Sequence, residues 1–167
     1  VDADQLGGTG HSKGSNAATG MAKAYPDQVK AILLNGYMAP SVTGGAFDEV
    51  ATHTNVGLNM SRYDECGQDL LHHIFGTEWN YDYLRGDAAA LFDEQWGGAD
   101  IADYLNEGLG SWEDGTMRIF YTLENCTHVT TVISKTAIAN GLDFFNNSMA
   151  APYWIDSSNQ IWWMRYA

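Results

Sequence analysis

The residues with the clearest chemical potential stand close to the start of the chain, where Gly10, His11, Ser12, Lys13 and Gly14 sit inside "GGTGHSKGSNAATGMAKAYP". A serine hydroxyl becomes a nucleophile for acyl transfer when a base takes its proton and an acid holds that base in place. Both residue types follow downstream, Asp64 in "SRYDECG" and His128 in "NCTHVTTV". The plainer reading of the pentapeptide is a glycine-rich turn with a helix-capping serine, or a phosphate-binding loop, since short Gly and Ser patterns recur by chance.

The elements that must position these groups separate the two readings. Residues 5–9, "QLGGT", form a short strand of low apolar content, and "GHSKG" forms a tight turn. The next segment has Ala17, Ala18, Met21 and Ala22 at helical spacing and is stopped by Pro26. "QVKAILLNG" is then an apolar run ending in Gly36, as expected of a buried parallel strand. The order strand, turn, helix, strand is a βαβ unit. At the end of its first strand a serine would be held in a strained turn, with Gly10 and Gly14 allowing helix and strand to approach. The helix would aim its positive end, and the backbone N–H of Lys13, at an oxyanion beside Ser12. Residues 55–60 alternate like a strand and lead to Asp64; a strand at about 117–123 precedes a loop with His128.

Together these pieces resemble a bacterial α/β-hydrolase of the esterase and lipase superfamily. "VDADQLGGTGHSKGSNAA" looks like the approach to its nucleophile elbow and "VKAILLNGYMAP" like the following strand. "SRYDE" resembles its acid loop, and "CTHVTTVISKTAIANGLDFFNNSM" its histidine loop and last helix; the likeness spans about 110 of the 167 residues. The chain order serine, acid, histidine is the order of that superfamily. The resemblance implies an α/β fold with a short, mainly parallel sheet and flanking helices. It makes Ser12 the nucleophile, His128 the general base, Asp64 the residue that holds the imidazole and the Lys13 amide an oxyanion donor. Glu65, next to Asp64, competes for the acid role. The implied activity is hydrolysis of a carboxylic ester through an acyl-enzyme, with no metal or organic cofactor. The same residues would serve a thioesterase or an acyltransferase. A catalytically silent hydrolase scaffold acting as a binding domain is the alternative from another class.

The superfamily has several strands ahead of the elbow, whereas only a few residues precede the first strand here, so the chain reads as an N-terminally truncated form. The loop that gives the second oxyanion donor would go with those strands, leaving activity weak. Residues 5–9 would then be a sheet edge, a template for a homodimer or a partner segment. One domain over 1–167 is expected, with 67–114 as an insertion. Its aromatics either form a helical cap, helices falling in "DAAALFDEQW" and "DIADYLNEGL", or cover the sheet as a satellite core.

The remaining features narrow the partners. With 21 acidic against 8 basic residues and no basic cluster, nucleic acid is excluded as a partner. His11 is read as a packing and orienting residue of the elbow, and His53 precedes a strand. His72 and His73 are adjacent, so on a helix they point about 100° apart and make no two-ligand metal face. Trp162, Trp163, Arg165 and Tyr166 either pack on the domain or touch a membrane interface. Cys66 lies two residues after Asp64 and Cys126 two before His128, so a bridge between them would clamp the acid loop to the base loop and indicate an oxidising compartment. Two unrelated thiols are the alternative.

Overall fold

A run as apolar as "VKAILLN" is stable as a strand only when both faces are covered. In the computed structural model, which describes residues 4–36, 53–64, 106–149 and 153–161, this run is β2 (Val29–Asn35). It pairs in parallel with β1 (Leu6–His11) on one side and with β3 (Asn55–Tyr63) on the other. β4 (Arg118–Thr127) adds in parallel to β3, so the four described strands form one parallel sheet in the order β1-β2-β3-β4. Helix α1 (Gly14–Ala24) joins β1 to β2, and a 3-10 turn (Val129–Ile133) leads from β4 into helix α2 (Lys135–Ser148). The expected α/β class, a short parallel sheet with flanking helices, is observed.

Strand residues alternate between faces, and the two helices take one face each. Under α1, Gly8 meets Met21 and Ala18 beside Ile32. Under α2, Ala31, Leu33, Ile119, Tyr121 and Phe144 form a buried cluster, flanked by Trp112, Phe145 and Met149. Trp112, half-buried, meets Phe144 edge-on with centroids 5.6 Å apart, so this member of the aromatic middle segment packs against the core.

Several boundaries differ from expectation, each for a local reason. β1 runs on to His11, because its partner β2 continues to Asn35 and keeps its hydrogen bonds satisfied. α1 buries Ser15, Ala18, Thr19 and Ala22 while Ala17 faces solvent. The two hydroxyls are tolerated inside because Ser15 Oγ donates to the Gly10 carbonyl at 3.1 Å and Thr19 Oγ1 to the Ser15 carbonyl at 2.9 Å. β4 extends to Thr127, so His128 follows the strand directly. Residues 106–109, expected to finish a helix, instead lie along β4: Leu109 bridges Arg118 in antiparallel fashion, and the Asn106 side chain accepts from Thr122 N–H at 3.1 Å. Among the described residues nothing pairs with the outer edge of β1.

Of the two readings of the cysteines, the bridge is not formed. Cys126 is a free, buried thiol grouped with Leu123 and Ala137, on the side of β4 that meets α2. Cys66 lies outside the described residues, as do the segment "DAAALFDEQW", expected to be helical, and the terminal Trp162, Trp163, Arg165 and Tyr166. No helix among the described residues is long and apolar enough to cross a membrane.

Candidate active site

The chain leaves β1 by a turn at Ser12 whose φ is +54°. Holding a non-glycine residue there costs about 1–3 kcal/mol, so its surroundings must over-determine it. They do so from both sides: Ser12 N–H donates to the Asn35 carbonyl at 2.9 Å, and the Ser12 carbonyl accepts from Ser15 N–H at 2.9 Å. Gly10 makes the turn possible, since a Cβ on it would overlap the Gly14 carbonyl where α1 begins. Gly14, expected to play the same part, has open space around its Cα, because it starts α1 on the solvent side. The helix cap is Lys13, without a side-chain bond, so Ser12 is not a capping serine. Ser12 Oγ makes no hydrogen bond to a described residue.

Asp64 and His128 are brought together by strand register. β3 and β4 pair Tyr63 with Thr127, and the next residue of each strand is the acid and the histidine. His128 Nδ1 lies 2.8 Å from Asp64 Oδ1 and 3.0 Å from Oδ2. Asp64 is fully buried and His128 is 6% exposed, so water competes little for the pair. An ionised carboxylate only accepts, which assigns the ring proton to Nδ1 and leaves a lone pair on Nε2. That is the tautomer a general base requires. Because the sheet is parallel, Ser12, Asp64 and His128 all stand at the carboxyl ends of their strands.

Two groups escaped sequence reasoning in whole or in part. Gly36, noted only as a strand end, has φ +60° and donates its N–H to the Asn59 carbonyl at 2.8 Å. A Cβ there would meet Asp64 Oδ2 at 2.9 Å and His128 Nδ1 at 3.1 Å, so its bare Cα is the seat of the acid–imidazole pair. Its position directly after an apolar strand was the available signal. His11, read from the sequence as a packing and orienting residue, makes contacts the sequence does not reveal: its Nε2 donates to the His128 backbone carbonyl at 2.8 Å, and the two rings lie 4.5 Å apart. The acceptor is a carbonyl, so Nε2 of His11 carries the proton.

The other candidates lie elsewhere. His53 is exposed at the opposite end of the sheet, ahead of β3, and Glu65, His72 and His73 are outside the described residues. Among the described residues no group of three His, Cys, Asp or Glu side chains could hold a metal ion. Comparison with known proteins finds no matching family, curated protein or solved structure.

Proposed function

We propose that the protein is a serine hydrolase cleaving carboxylic esters through an acyl-enzyme on Ser12, on a partial α/β-hydrolase fold. The observation that carries this reading is the buried Asp64–His128 pair, with Nδ1 committed to the carboxylate, at the same carboxyl end of the parallel strands as a serine held at φ +54°. Ser12 Oγ attacks the ester carbonyl while His128 Nε2 takes its proton, and the Lys13 amide at the start of α1 receives the developing oxyanion. His128 then returns the proton to the leaving alcohol. A water activated by the same imidazole releases the acid and restores Ser12. Asp64 stabilises the imidazolium in both halves of the cycle.

The test is covalent labelling by a fluorophosphonate probe with peptide mapping. The expected adduct is on Ser12, absent in Ser12→Ala and in His128→Ala. No adduct in the intact protein overturns the reading in favour of the catalytically silent scaffold. That alternative draws on one observation, the absence of a hydrogen bond from Ser12 Oγ to a described residue. Such bonds are often long in unliganded sites and tighten in the substrate complex, so the probe, which demands attack, is the decisive reagent. A panel of oxygen esters, thioesters and acceptor alcohols then separates ester hydrolysis from thioester cleavage and acyl transfer.

A further inference from the structure

Three asparagines lie on the α2 side of the sheet, where neighbouring positions hold Leu33, Gly57 and Phe144. Asn59, at the centre, has no exposed surface. A buried amide is stable only when it is hydrogen-bonded, and an apolar side chain would fill such a position without that demand. The three amides form one line. Asn140 Nδ2, from α2, donates to Asn59 Oδ1 at 3.0 Å, and Asn59 Nδ2 donates to Asn35 Oδ1 at 2.8 Å. Asn35 Nδ2 in turn donates to Thr9 Oγ1 at 2.9 Å and to the Gly10 carbonyl at 3.2 Å.

The direction of this line is fixed by its end. The Gly10 carbonyl can only accept, and Thr9 Oγ1 already spends its proton on the Leu33 carbonyl at 2.9 Å. Asn35 must therefore turn its NH2 toward β1 and its oxygen toward Asn59, and Asn59 its oxygen toward Asn140. Reversing any one amide sets oxygen against oxygen or NH2 against NH2. The line also touches both halves of the site. On one side it ends on Gly10, two residues before Ser12, and the Asn35 backbone carbonyl holds Ser12 N–H. On the other, the Asn59 backbone carbonyl holds Gly36 N–H, the seat of the acid–imidazole pair. Asn59 Nδ2 also reaches the Ala137 carbonyl, at 3.4 Å, in the first turn of the helix that follows His128.

We infer that Asn59, with Asn35 and Asn140, is a positioning relay that fixes the Ser12 elbow relative to the Asp64–His128 pair; the inference rests on the serine hydrolase reading. The relay touches no substrate. It acts by keeping the two halves in register across three strands, where a displacement of an ångström is enough to slow attack by about a hundredfold.

The test compares Asn59→Leu, which removes both the donor and the acceptor of the central amide, with Phe144→Leu, a core change in the same layer that leaves the relay intact. Both are read by thermal midpoint, by kcat and KM for a short-chain ester, and by the proton NMR signal of the His128 Nδ1–H. Asn59→Leu is expected to lower kcat by about tenfold or more with KM changed by less than about twofold, and to shift or broaden the imidazole proton. Phe144→Leu, at an equal or larger loss of thermal midpoint, is expected to leave kcat and the imidazole signal near those of the parent. Unchanged kcat and signal in Asn59→Leu, or equal changes in Phe144→Leu, overturn the relay. Should Asn59→Leu not fold, Asn140→Ala opens the line at its helix end and is judged by the same outcomes. A parent protein that shows neither turnover nor labelling defeats the hydrolase reading instead, and the imidazole proton then decides alone whether the relay positions His128.

Discussion

Gly36 lies against Asp64 so closely that a methyl group on its Cα would stand 2.9 Å from Oδ2, while the same glycine holds a φ of +60°. Gly36→Ala therefore carries two penalties. The left-handed backbone costs a non-glycine residue about 1–2 kcal/mol, and the new methyl must push the carboxylate or the imidazole aside. The expected outcome is a thermal midpoint lower by several degrees and a fluorophosphonate labelling rate lower by about tenfold or more. A variant that is destabilised but labels at the parent rate would show that the pair tolerates displacement.

In the proposed mechanism the serine and histidine act as one unit, so their losses should not add. Ser12→Ala and His128→Ala are each expected to abolish most hydrolysis of a p-nitrophenyl ester, and the double variant to be little worse than either. Asp64→Asn is expected to cost on the order of 10⁴ in kcat, because an amide facing Nδ1 favours the wrong tautomer. Fully additive losses, or a harmless Asp64→Asn, would argue against a shared mechanism; Glu65→Gln serves as the neighbouring control.

The positions of Asp64 and His128 were legible in the sequence because each follows a recognisable strand, and Ser12 stood out through its glycine-flanked turn, the helical spacing after it and the apolar strand that follows. "VKAILLN" is apolar throughout, and Asp64 and His128 come directly after the strands that pair Tyr63 with Thr127. β1 was harder to recognise, because Gly7 and Gly8 contribute no apolar side chains of their own. They are filled from outside, Gly7 by Phe145 and Met149 and Gly8 by Met21, and that packing is not visible from residues 5–9 alone. The asparagine relay was not legible at all. Asn35, Asn59 and Asn140 are 24 and 81 residues apart with no common local pattern, and only the register of β2 on β3 and the seat of α2 align them. The opposite error occurred at Gly14, where a motif suggested close approach and the structure has open space.

His11 gives a way to separate ring contact from hydrogen bonding. His11→Phe keeps an aromatic ring beside His128 but removes the Nε2 donor to its carbonyl. Leaving that carbonyl short of its partner is expected to cost about 1 kcal/mol of stability, read by urea denaturation, and to lower kcat more than it raises KM. His11→Gln retains a donor and is expected to recover part of the loss. Parent-like behaviour of His11→Phe with a loss in His11→Gln would mean that the ring contact, not the hydrogen bond, is what matters.

Tyr121 is expected to lower the stability of the fold at alkaline pH. Its phenol is held in the cluster with Ala31, Leu33, Ile119 and Phe144, and its pKa is raised far above the usual tyrosine value, first by burial and then by the nearby negative charge of Asp143. In the unfolded chain the same phenol titrates near 10. The folded state therefore holds a proton that the unfolded state loses, and folding weakens as pH rises above about 10 while being unaffected by this group at lower pH. At pH 11 the effect of one such tyrosine is at most about 1.4 kcal/mol. Tyr121→Phe removes the ionisable group while keeping the ring. Urea unfolding at pH 8 and pH 11 should show a smaller loss of stability with pH in Tyr121→Phe than in the parent, with other titrating groups cancelling in the difference. Identical losses in the two proteins would mean that the Tyr121 phenol ionises in the folded state as readily as in the unfolded chain.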